Sequence, residues 1–154
     1  MDASTRNQST VPGRAAPRRH ASSWALTVGG LALVGIGLYF IFFRPPLLPE
    51  DLRYIGATSE QIKATFPELL DWLCKVFAVM GGYITSMGVL TCYLAWTSLR
   101  TRTPGVLAVA WFTAVISVGV MVLVNFAIQS DFRWTLLLLP LPWIAASFLF
   151  LRDR

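Results

Sequence analysis

Four long stretches without a central charge constrain this chain more than any other feature. The first, Trp24 to Phe43, runs about 20 residues, the length a helix needs to cross a hydrocarbon layer roughly 30 Å thick at about 1.5 Å per residue. Three more follow at about 72–96, 106–128 and 134–151. In lipid every backbone polar group must be bonded within the segment, so these stretches predict helices rather than open strands. Glycines in the first two do not oppose that reading, and Pro140 and Pro142 predict a kink in the fourth. Hydrophobic residues make up 55% of the 154, above the roughly 45–50% of an ordinary soluble domain. The expectation is an all-α integral membrane four-helix bundle.

Residues 1–23 are rich in Ser, Thr, Pro, Gly and Arg and bury too little apolar surface to offset the entropy of ordering, which predicts a disordered basic tail. The first apolar run is too long for a cleaved signal peptide and no A-x-A-like site follows it, so a retained anchor fits it better; Arg18-Arg19 alone is weak support for twin-arginine export. Residues 24–151 form the membrane domain, and 44–71 a connection long enough to fold as a cap.

Charge placement sets the expected orientation. Arg6, Arg14, Arg18, Arg19, Arg100, Arg102, Arg152 and Arg154 supply eight of the 13 basic residues in the two termini and the connection between spans two and three. Only Asp2 and Asp153 oppose them there. By the positive-inside rule these segments are cytoplasmic, and the connection bearing Glu50, Asp51, Glu60, Glu68 and Asp71 lies outside, together with the turn bearing Asp131 and Arg133. Trp24, Trp72, Trp96 and Trp134 fall near span ends, where an amphipathic ring prefers the headgroup level. The net charge of +5 thereby reads as topology rather than as nucleic-acid binding.

The cap carries its own folding signals. Pro49 with Glu50 and Asp51 suits a first helical turn, and Gly56 suits a helix stop. Leu47, Leu48, Leu52 and Ile55 would hold that turn on the membrane surface, with Glu50, Asp51 and Arg53 on its polar side. Thr58 followed by Gln61, and Thr65 followed by Glu68, each match a capping box, so a second membrane helix is expected to start near Phe66. Asp71 and Lys75 then lie one turn apart in the favourable order for an ion pair.

Candidate sites are few. On span two Cys74, Ala78, Gly81, Thr85, Gly88 and Cys92 share one face at about 100° per residue. The stripe Ala78, Gly81, Thr85 and Gly88 is read as a helix-packing face, because small side chains permit close backbone approach; the alternative is a glycine-lined cavity between spans two and three for a lipid tail or small solute. Asn125 shares a face of span three with Ala110, Thr113, Ala114, Ser117 and Met121, and is expected to look into the bundle. The polar groups that converge outside are Glu50, Asp51, Arg53, Asp71, Lys75 and Asn125. Adjacent carboxylates such as Glu50 and Asp51 do not share a helix face, and no nucleophile–base pair, metal-ligand set or cofactor motif accompanies them, so no catalytic, cofactor or metal residue is assigned. Two cysteines without a C-x-x-C pair and the lone His20 exclude dithiol chemistry and a four-ligand zinc site. No acid or base falls in the middle of any span, which weighs against a proton-coupled transporter.

Phe43-Arg44-Pro45-Pro46 closing the first span, the "PEDLRYIG" turn, the "PELLDWL" helix start and Val79-Met80-Gly81-Gly82-Tyr83 with Gly88 resemble small bacterial four-span membrane proteins of the DoxX-like kind. The resemblance covers about residues 24–151 and is architectural. It implies the four-helix fold and the bacterial inner membrane, and carries over no active-site residue. The expected function is a non-enzymatic accessory or interaction protein in contact with membrane lipids and with a membrane-protein partner or further copies of itself. The alternative is a small transporter or lipid-binding protein built on the glycine-lined cavity.

Overall fold

The computed structural model describes residues 21–152, so the tail expected over 1–23 lies almost wholly outside the described residues. The described residues are helical, with no strand among them. In chain order they form α1 (Ala21–Phe42), α2 (Pro49–Ile55), α3 (Ser59–Thr65), α4 (Leu69–Leu94), α5 (Val106–Ala114), α6 (Val120–Ala127), α7 (Arg133–Leu136) and α8 (Leu141–Arg152). α4 continues as a π-helical turn over Ala95–Leu99, and a second π-helical stretch, Val115–Gly119, joins α5 to α6. Four helical stretches are long and apolar enough to cross a membrane: Ala21–Phe42, Leu69–Leu99, Val106–Ala127 and Arg133–Arg152. They are spans one to four of a multi-pass membrane protein.

Span one is the central element. One face of α1 lies along α4 and another along α8. The first contact is so close because glycine meets glycine. Gly30 and Gly37 are spaced by the same seven residues as Gly81 and Gly88, and the helices run antiparallel, so Gly30 faces Gly88 and Gly37 faces Gly81. A Cβ on Gly88 would stand 2.6 Å from the Gly30 carbonyl oxygen, and one on Gly81 2.6 Å from that of Gly37. Backbones approach this closely only where no side chain intervenes, and in lipid such packing replaces the hydrophobic drive. On the other face Gly29 receives the Trp143 ring of α8, whose Cζ3 would lie 2.7 Å from an added Cβ.

The buried core gathers Leu26 and Leu33 of span one, Ala95 and Leu99 after α4, Val106, Ala110, Ala114, Val118 and Val122 of span three, and Trp143, Ala146 and Phe150 of α8. Spans three and four are further linked by Trp111, whose Nε1 donates to Ser147 Oγ at 2.8 Å.

Span four, Arg133–Arg152, is interrupted where its prolines fall: α7 stops at Leu136, four turn residues intervene, and α8 starts at Leu141, because Pro140 and Pro142 have no N–H to continue the ladder. Two local expectations are corrected. Thr65 does not start the second membrane helix. It ends α3 with its Oγ1 donating to Gln61 O at 2.9 Å, and α4 begins at Leu69 with Glu68 as its cap and no side-chain bond. Asp71 and Lys75 are both exposed, and among the described residues no ion pair joins them.

Candidate functional site

The polar residues singled out in the sequence separate into a tight junction at one end of the molecule and a remainder that does not join it. The junction is built on α2. Pro49 supplies the first helical position, where a missing N–H costs nothing and φ is already set. Asp51 Oδ2 accepts from the Leu48 N–H at 2.9 Å, and Gly56, at φ 73°, ends the helix with its N–H donating to Leu52 O at 2.9 Å. α3 follows behind the Thr58–Gln61 capping box: Thr58 N–H donates to Gln61 Oε1 at 2.8 Å, and Gln61 N–H to Thr58 Oγ1 at 3.3 Å.

Successive side chains on α2 face different partners, as about 100° per residue requires. Glu50 points inward and is 3% exposed, which corrects its placement on the polar side of the cap. Its Oε1 accepts from Ser130 Oγ at 3.2 Å, and that oxygen accepts from the Phe132 N–H at 3.2 Å. Ser130 sits in the turn between spans three and four, itself 1% exposed. The inward face of α2 therefore docks on that turn through a buried carboxylate and a buried hydroxyl.

Asp51 turns instead to Arg44, at 3.3 Å. The Arg44 guanidinium lies 3.5 Å from the centre of the Phe77 ring and 5.1 Å from that of Phe40, between spans one and two. A planar, weakly hydrated cation suits such a slot far better than an ammonium group. Burial lowers its pKa below the ordinary arginine value, while Asp51 opposes the shift; it stays a cation at any physiological pH. Arg53, two residues on, reaches Asp131 at 2.8 Å in an exposed pair, and the carboxylate raises the arginine's already high pKa. Arg53, Tyr54, Gln129, Asp131 and Arg133 line an open hollow of about 600 Å³ beside it.

Glu50, Asp51 and Arg53 thus belong to one junction that fastens α2 to the span three–four turn and to the ends of spans one and two. Asp71 and Lys75 make no hydrogen bond or ion pair with any of them. Asn125 is half-buried, and its Nδ2 donates to Met121 O at 2.9 Å, one turn back on its own helix. Ala78, Gly81, Thr85 and Gly88 lie at the other face of α4: Gly81 and Gly88 meet span one rather than span three, and Thr85 Oγ1 donates to Gly81 O at 2.8 Å. Among the described residues no three His, Cys, Asp or Glu side chains come together as metal ligands.

Four residues that matter here were missed by sequence reasoning. Arg44 and Ser130 carry no motif, since each acts through a partner distant in the chain. Gly30 and Gly37 did carry one: their spacing repeats that of Gly81 and Gly88 and marks the two helices as mates.

The arrangement is a fastening: each carboxylate is engaged by a hydroxyl, a guanidinium or a backbone N–H, and the apolar side chains of Tyr54 and Ile55 are left exposed beyond it. No protein-family model, curated protein or solved structure matches this chain.

Proposed function

We propose that this chain is a non-enzymatic accessory protein of a bacterial inner membrane, a four-helix bundle whose cap is extracytoplasmic and serves as the contact surface for a membrane-protein partner. One observation carries the reading. The cap is fixed by Glu50–Ser130, Asp51–Arg44 and Arg53–Asp131, yet it leaves Tyr54, Ile55 and Phe66 more than half exposed. A rigid platform that presents apolar and aromatic side chains loses little entropy on docking, the condition under which a small surface binds well. The distribution of arginine supports cytoplasmic termini. The architectural resemblance to DoxX-like proteins supports the bacterial membrane.

Extraction in mild detergent followed by affinity purification and mass spectrometry tests the proposal, with the wild type beside a Tyr54→Ser/Ile55→Ser variant. The expected result is a stoichiometric membrane-protein partner that the variant loses while its thermal unfolding is unchanged. A preparation that carries no stoichiometric protein, or one whose partner is retained by the variant, overturns it.

A further inference from the structure

We propose that the end of the molecule opposite the cap binds the phosphate headgroups of anionic phospholipids, with Arg100 and Arg152 as the phosphate ligands. The charge map is the starting point. Among the described residues all six carboxylates, Glu50, Asp51, Glu60, Glu68, Asp71 and Asp131, lie in the cap, at the start of α4 or in the span three–four turn. The opposite end carries Arg100, Arg102 and Arg152 and no described acid.

The fold gathers these cations instead of spreading them. After the π-helical turn Ala95–Leu99 the chain reverses through 100–104, with Arg102 at φ 57°. The Arg102 Nη2 donates to Phe150 O at 3.3 Å, and its guanidinium lies 4.7 Å from the centre of the Phe150 ring. That contact holds the turn against the last turn of α8, with Arg100 two residues before Arg102 and Arg152 two residues after Phe150. Arg100 and Arg152 are both exposed.

Depth selects the ligand. Arg100 lies 5.7 Å from the Trp96 ring, and Trp96 packs edge-to-face on Trp24 at 5.0 Å. Trp24 is 57% exposed, and such rings sit at the headgroup level. Arg100 is thereby held where lipid phosphates lie, beside exposed apolar helix surface that can take the acyl chains. A guanidinium matches phosphate with two parallel hydrogen bonds, and basic pockets between membrane helices are a recognised mode of anionic-lipid binding. A free phosphate would meet the same donors but gain nothing from that surface. The inference stands independently of the accessory role.

The test is native mass spectrometry of the full chain released from micelles holding equal phosphatidylglycerol and phosphatidylcholine. The wild type is expected to retain phosphatidylglycerol preferentially, and Arg100→Gln/Arg152→Gln to lose that preference about tenfold. Arg100→Lys/Arg152→Lys should keep most of it, and Lys63→Gln in the cap all of it. Excess inorganic phosphate should not displace the lipid. Absence of the preference in the wild type, its persistence in the double glutamine variant, an equal loss in Lys63→Gln, or displacement by phosphate would each overturn the proposal.

Discussion

At the scale of single residues, the helix contacts depend on atoms that are absent. A Cβ on Gly37 would run into Thr85 Oγ1 and stand 2.7 Å from Gly81 O. The obstacle is backbone as well as side chain, so the helices must part. Gly37→Ala is expected to destabilise by about 1–3 kcal/mol, the usual range for overpacking. Gly35→Ala, on the same helix with nothing within 4 Å, should be neutral or slightly stabilising, since alanine is the better helix former. Thermal unfolding in detergent checks the pair, and equal losses would mean that glycine serves flexibility instead of close approach. Two effects meet at Glu50. Its buried carboxyl accepts from the Ser130 hydroxyl and lies within electrostatic reach of Arg44 and Arg53. Removing the acceptor leaves the Ser130 O–H without its acceptor, at about 1–3 kcal/mol, although Ser130 Oγ still accepts from the Phe132 N–H. Glu50→Gln keeps an acceptor oxygen and loses only the attraction to the two arginines, so it should unfold between the wild type and Glu50→Ala. Limited proteolysis of the cap should follow the same order.

At the scale of elements, α3 is the clearest case of a helix held by its first turn. Thr58→Ala removes one half of a capping box and should cost about 1 kcal/mol, read as faster hydrogen exchange confined to 59–65. Glu60 in that turn is held below the ordinary carboxylate range, first by a backbone N–H and then by the Thr58 hydroxyl. A depressed folded-state pKa stabilises above the unfolded value and is lost as pH falls through the folded one. Protection of α3 should therefore weaken in acid below the ordinary glutamate range, and in Glu60→Gln that acid step should be smaller. How legible each element was in the sequence follows from how local its cause is. Pro49, Gly56 and the Thr58–Gln61 box act within one turn and could be read directly, as could the spans, from apolar length alone. Thr65 misled because a hydroxyl has two local choices, and the carbonyl of Gln61, one turn back, captured it ahead of the N–H groups of a new helix. The glycine stripe on α4 was legible as a face but not as a contact, because a face does not name its partner. Glu50 was misplaced for the same reason: its burial depends on Ser130, 80 residues away.

At the scale of the whole molecule, two independent signals define a slab. Trp72 and Trp96 lie about 36 Å apart along span two at about 1.5 Å per residue, slightly more than the roughly 30 Å hydrocarbon core. That places both rings in the headgroup layers. The charges then differ between the two ends: the cap end holds every described carboxylate, partly neutralised by Arg44, Arg53, Lys63, Lys75 and Arg133, and the other end holds Arg100, Arg102 and Arg152 without a described acid. An insertion bias set by arginine in short connections acts on such a difference, and under the proposed orientation it would retain the 100–104 turn in the cytoplasm. Cysteine accessibility in intact cells would check it. A cysteine at Ser59, in a background with Cys74 and Cys92 replaced, should react with a membrane-impermeant maleimide from outside, whereas one at Thr103 should react only after the membrane is opened. The reverse pattern would invert the molecule. Labelling of both from one side would break the four-span count, since an odd number of crossings between 59 and 103 is what places them apart. Reversal could also be driven deliberately: Arg100→Gln/Arg102→Gln with two arginines added beside Ser59 removes the bias at one end and installs it at the other. The fraction of chains labelled at Thr103 from outside should then rise, and an unchanged pattern would mean that the first span and its preceding arginines fix the orientation alone.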